Sequence, residues 1–127
     1  MNQENIKQEL IEFFFCLKNN LYLYHLSTYS YSRHIAVANL LDSFDTLIDK
    51  FLEIYFGKYG RPDQFSNTKL ELNKLSDPEA FMELASYIEY LNVTIPVLIN
   101  PKDTDLLNIR DEMVGLLNNT KYLFELK

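Results

Sequence analysis

Apolar residues recur along the chain at intervals of three and four, the spacing of one face of an α-helix. From about Asn5 to Leu26 they fall at Ile6, Leu10, Phe13, Phe14, Leu17, Leu21 and Tyr24. The stretch "LSTYSYS" interrupts this pattern, and Ser30 or Ser32 is placed to cap a second helix by accepting its orphan N–H groups. That helix is predicted from about Tyr31 to Phe56, its core face carried by Val37, Leu40, Leu41, Phe44, Leu47, Ile48, Phe51 and Tyr55. "GKYGRP" ends it, with Gly57 as the terminal glycine and Pro62 unable to continue. Residues 57–76 are polar and read as a long connection, with at most a helical turn around "TKLELNKL". A third helix opens at "SDPEAF", where Ser76 or Asp77 caps and Pro78 occupies the first turn, and it runs to about Leu91. "NVTIPVLINPK", with two prolines, reads as a non-helical link. A fourth helix is predicted from about Thr104 to Leu126.

Two helices, a long connection and two more helices predict an all-α four-helix bundle in one domain, residues 1–127. A long middle connection is the feature of ferritin-like folds, in which a crossover joins two helical hairpins. Three Gly and four Pro are few for an all-β domain, which needs frequent turns. No internal repeat or low-complexity segment is visible.

Twelve basic against 18 acidic residues give a net charge of −6, and the basic residues are scattered. Direct nucleic-acid binding is therefore not expected, since a duplex binder presents a basic patch or stripe. The one cysteine, Cys16, lies in the apolar run "IEFFFCLKNN" and reads as a buried structural thiol. That run is too short to span a bilayer and its flank is acidic, so no membrane association is expected. A soluble protein of a reducing compartment, cytoplasmic or virion-associated, is the expectation.

The candidate chemistry lies in the second helix and just before it. Asp42, Asp45, Asp49 and Glu53 fall within about 80° of one another on a helical wheel, and His34 projects near the same face. A solvated acidic face is the plain reading. Like charges at this spacing repel by some tenths of a kcal/mol each, however, so the stripe invites a cation or a basic partner. His34 and Asp49 are fifteen residues apart on one helix, about 22 Å, so they cannot share an ion within one chain. Asp49 and Glu53, four apart, can. Two copies of this helix packed antiparallel about a two-fold axis bring His34 of one alongside Asp49 and Glu53 of the other, and symmetry makes such sites in pairs. Glu-x-x-His, HExxH and CxxC motifs are all missing from the sequence.

The stretch from His25 to Glu53 resembles the metal-binding core of Dps proteins, miniature ferritins that oxidise and store iron in bacteria. Their pattern is a first-helix histidine, a second-helix histidine, an aspartate fifteen residues later and a glutamate four beyond that. His34, Asp49 and Glu53 match the second-helix part, and His25 stands at the place of the first-helix histidine. The chain is also similar to short Dps-like proteins of phages and large viruses, which share a phrase like "SY..H" and the run into "GKYGRP". The resemblance implies that His25, His34, Asp49 and Glu53 are iron ligands and form the catalytic ferroxidase site. It further implies a homo-oligomer built on an antiparallel helix-2 two-fold, and above that a hollow dodecamer. Mixed imidazole and carboxylate ligands suit Fe(II) that must react with oxygen or peroxide. The His25–His34 interval is three residues shorter than in that family, Leu26 stands where a Trp is common, and the lysine-rich tail of its DNA-binding members is absent. The rival expectations are a structural or interaction protein that keeps the bundle without metal chemistry, and a helical adaptor whose acidic stripe receives a basic partner. In those readings His25 bonds a backbone carbonyl, His34 is a first-turn surface residue, and Asp42 and Asp45 face solvent or an interface.

Overall fold

A computed structural model describes residues 2–126. Its elements are α1 (Gln3–Ser27), α2 (Tyr31–Tyr59), α3 (Asp77–Glu89), a π-helical turn (Tyr90–Thr94), α4 (Ile95–Leu98) and α5 (Thr104–Phe124), with no strand among the described residues. The protein is all-α.

The helix starts follow the capping chemistry. Asn2 caps α1 through Asn5 N, and Ser30 caps α2 by accepting from Arg33 N. Ser76 and Glu79 form a reciprocal capping box at α3, with Pro78 in the first turn, where no N–H is needed. The end of α2 differs from the sequence expectation. Gly57 stays helical, and the chain leaves at Gly60, whose φ of 93° is open only to glycine at little cost.

Two further expectations are corrected. "NVTIPVLIN" is not a non-helical link, because α3 continues through the π turn into α4. A π turn bonds each N–H to a carbonyl five residues back and so absorbs one extra residue. Pro96 lies inside this continuous run and has no N–H for an intrahelical bond, and the nearby Leu91 carbonyl accepts from Arg110 Nη1 at 3.1 Å. Residues 60–76 contain no helical turn at "TKLELNKL". Their polar groups are met by α1 instead: Gln8 and Ser66 exchange hydrogen bonds at 3.1 and 2.9 Å, and Asn73 N donates to Asn20 Oδ1 at 2.7 Å.

These contacts fix the chain directions. The connection passes Glu4, then Gln8, then Asn20, climbing along α1 toward its C-terminus. There Asp77, at the start of α3, meets Tyr24 and Thr28. α3 therefore begins at the end of the molecule where α2 begins, and runs parallel to it. α5 runs the other way, with Asp103 and Asp105 at its start paired with Lys58, and Phe124 at its end bonded to Arg33.

The core lies along the inner faces of all four rods. Leu10, Phe14, Leu17, Leu21 and Tyr24 of α1 meet Val37, Phe44 and Phe51 of α2, Leu84 of α3, and Leu106, Met113 and Leu117 of α5, all fully buried. The stripes read from the sequence are these faces, and the last helix ends at Phe124, short of the expected Leu126, which is exposed. Cys16 is only half-buried. Burial, and then Glu12 and Glu71, push its thiol up, away from a reactive thiolate.

Candidate functional site

The α1–α2 hairpin brings His25 and His34 face to face. Their rings stack with centroids 3.9 Å apart and planes 12° from parallel. His25 Nδ1 donates to the backbone oxygen of His34 at 2.8 Å, and His34 Nδ1 donates to that of His25 at 2.7 Å. A carbonyl oxygen can only accept, so both Nδ1 atoms carry hydrogen. In each neutral ring Nε2 is then the free lone pair.

This is the outer arrangement that metal-binding imidazoles use, with the far nitrogen held by a carbonyl and the near one free. His25 therefore does bond a backbone carbonyl, as the plain reading had it, and that bond leaves its ligating nitrogen free. Lone pairs in nearly parallel planes do not converge. An ion about 2.1 Å from both nitrogens would lie almost out of both ring planes, so each ring offers a separate ligand position.

Aromatic and apolar side chains frame the pair. Tyr22 lies 5.7 Å from the His25 ring and Tyr31 6.3 Å from that of His34. Tyr22, Leu26, Tyr31 and Ile35 are 55%, 61%, 78% and 39% exposed. Apolar side chains thus remain exposed beside both imidazole rings.

Asp49 and Glu53 lie on the same helix, exposed and far from the histidines. Among the described residues no three His, Cys, Asp or Glu side chains are grouped closely enough to hold a metal. The histidines are thus brought together, and the carboxylates are not brought to them within one chain. Nearer to His25 lie Asp42 and Asp45, which line a groove of about 340 Å³ between α1 and α2 with Lys18 and Tyr22. Lys18 of α1 pairs with Asp45 at 2.8 Å. The stripe therefore has a resident counter-charge that the α2 sequence alone does not reveal.

A second cluster behind the histidines was not read from the sequence. Tyr24 Oη donates to Asp77 Oδ1 at 2.6 Å, Thr28 Oγ1 donates to the same oxygen at 2.9 Å, and Arg33 spans Tyr24, Asp77 and Phe124. The Tyr24 hydroxyl, with Thr28 and Arg33, holds the Asp77 carboxyl below its ordinary value despite burial. Burial first, and then Asp77, push the Tyr24 phenol up. The only sequence signal for this cluster was polar residues next to apolar stripe positions, which is too common to single out.

Residues 25–124 match the family model of DUF5856, a family of unknown function. The chain belongs to the DUF5856 family. The segment matched to DUF5856 opens at His25 and contains His34, Asp49 and Glu53. No curated protein and no solved structure matches the chain.

Proposed function

We propose that this DUF5856 protein is a ferritin-like, Dps-related helical bundle that takes up ferrous iron at sites shared between two copies of the chain. The observation that carries the reading is the reciprocal Nδ1–carbonyl bonding of His25 and His34, which leaves two Nε2 lone pairs presented on an exposed, apolar-framed surface. The ferritin-like assignment draws support from the parallel course of α2 and α3, which a simple up-down bundle lacks.

In an antiparallel α2 pair with its two-fold near residue 42, His34 of one copy lies level with Asp49 and Glu53 of the other. The exposed Tyr22, Leu26, Tyr31 and Ile35 supply apolar contact area for the mate. The donors would be imidazole nitrogen from one copy and carboxylate oxygen from the other, a set suited to Fe(II) with open positions. His25 and His34 each offer Nε2 as a separate ligand position, and Asp49 and Glu53 of the mate offset the charge that a bound iron gains on oxidation. The reaction follows ordinary iron chemistry: two Fe(II) each give one electron to a peroxide, which takes two protons and leaves as water. Fe(III) then passes to acidic surface for storage.

The reading is tested by titrating metal-free protein with Fe(II) under anaerobic conditions and counting bound iron per chain. Saturable binding that vanishes in His25→Ala/His34→Ala is expected. No binding, or binding untouched by that change, overturns the iron reading. The same exposed apolar frame would then favour an interaction protein without metal chemistry.

A further inference from the structure

The histidine pair is one of two adjacent rungs between α1 and α2. The residues just before the histidines, Tyr24 and Arg33, make the other: Arg33 Nη1 donates to Tyr24 Oη at 3.1 Å. Successive residues of a helix turn through about 100°, so one rung points inward and the next toward the surface. Tyr24 is fully buried, whereas His25 and His34 are both partly exposed.

Arg33 does more than complete its rung. The same Nη1 donates to the backbone oxygen of Asp77 at 2.6 Å, Nη2 donates to that of Phe124 at 3.3 Å, and the guanidinium lies 4.4 Å over the Phe124 ring. One planar fork thus ties the end of α1, the first residue of α3 and the last residue of α5 to the first turn of α2. Lysine, with a compact point charge, has no such fork.

The reciprocal imidazole bonds need this accuracy. At 2.8 and 2.7 Å they lie near the optimum for N–H···O bonds, which weaken beyond about 3.2 Å. A slide of α2 along α1 by about half an ångström lengthens one bond or distorts both. The Ser30 cap fixes the first turn of α2 internally but not its height against α1. Arg33 spans that gap.

We propose that Arg33 is the positioning residue of the imidazole pair, setting the register in which each ring reaches the other's carbonyl and keeps Nε2 free. Its consequence for iron rests on the reading of the pair as a ligand site; its consequence for the rings does not.

The test uses metal-free full-length protein with ¹⁵N-labelled histidine, above the ordinary imidazole range at about pH 8. Nitrogen–proton correlation spectra report the tautomer of each ring. The unaltered protein is expected to show both rings as Nδ1–H. Arg33→Gln is expected to give mixed tautomers and a fall in Fe(II) affinity of about tenfold or more, as for loss of other supporting groups. Tyr24→Phe, which removes one bond of the inner rung, should move the rings the same way by less. If Arg33→Gln lowers thermal stability but leaves both rings Nδ1–H, Arg33 is merely structural and the proposal is overturned. If Arg33→Gln does not fold, Tyr24→Phe decides, and unchanged rings overturn the proposal. Unaltered protein that lacks the Nδ1–H tautomers overturns it as well. Tautomers that respond as expected in a protein that binds no Fe(II) uphold the positioning role and defeat the iron reading alone.

Discussion

Asp49→Asn separates a ligand from a structural residue. Asp49 is exposed, and it has like charges one turn away on both sides, Asp45 before it and Glu53 after it. A like-charge pair at that spacing costs a few tenths of a kcal/mol. Lys18 partly neutralises Asp45 at 2.8 Å, so the relief on that side is the smaller. Removing the Asp49 charge should raise the melting temperature by about 2 °C in a domain of this size. His34→Ala works in the opposite direction. It deletes one Nδ1–carbonyl bond and the 3.9 Å ring stack, about 1–1.5 kcal/mol at a partly exposed site and about 5 °C. Both variants should lose Fe(II) uptake, one while gaining stability and the other while losing it. Thermal circular dichroism and an iron-uptake assay on the same preparations read the two effects separately. Asp49→Asn with full uptake refutes its role as a ligand. Asp49→Asn that melts lower refutes the description of Asp49 as destabilised by the like charges of Asp45 and Glu53.

The remaining expectations concern the core, the polar junction and the two-fold. Phe44→Ala, at a fully buried position of α2, should cost about 3–5 kcal/mol, measured by chemical denaturation. Tyr24→Phe should cost about 1.5 kcal/mol at neutral pH, because Asp77 keeps Thr28 and solvent screens part of the loss. The folded Asp77 carboxyl lies below its unfolded value, so its contribution is full above about pH 4 and fades as the pH falls through the lower folded value; the gap between Tyr24→Phe and the unaltered protein should narrow in acid to the share due to the Arg33 bond, and a gap that does not change with pH contradicts the assignment. An α2 two-fold near residue 42 brings both copies' Asp42 together, so Asp42→Asn should tighten the metal-free dimer in analytical ultracentrifugation, most visibly at low salt.

The helices were legible where a continuous stripe faced one core, as from Leu10 to Tyr24 and from Val37 to Tyr55. The link read at "NVTIPVLIN" rested on its prolines, whereas Pro96 is accommodated where the π turn passes into α4. The sequence also offered a helical turn at "TKLELNKL", where Asn73 N is instead bonded to Asn20 of α1, while just before the stretch Ser66 is bonded to Gln8. Those partners lie more than fifty residues away, beyond any local pattern. Of the candidate site, the carboxylate spacing and its reach could be worked out from helical rise alone. The stacking of His25 on His34, the freedom of both Nε2 atoms, the Lys18–Asp45 pair and the Arg33 rung all depend on how α1 sits against α2. That register belongs to the packed hairpin, including the tie proposed for Arg33, and no single helix encodes it.

Subunit complementation tests the shared site most directly. One chain carries His25→Ala/His34→Ala, the other Asp49→Asn/Glu53→Gln, and neither should take up iron alone. After unfolding and refolding in equal amounts, half of the dimers are mixed and each mixed dimer has one whole site of its two. The expected uptake is about a quarter of that of the unaltered protein. A refolded mixture that forms mixed dimers and remains as inactive as its parents contradicts a site built from two copies of this chain.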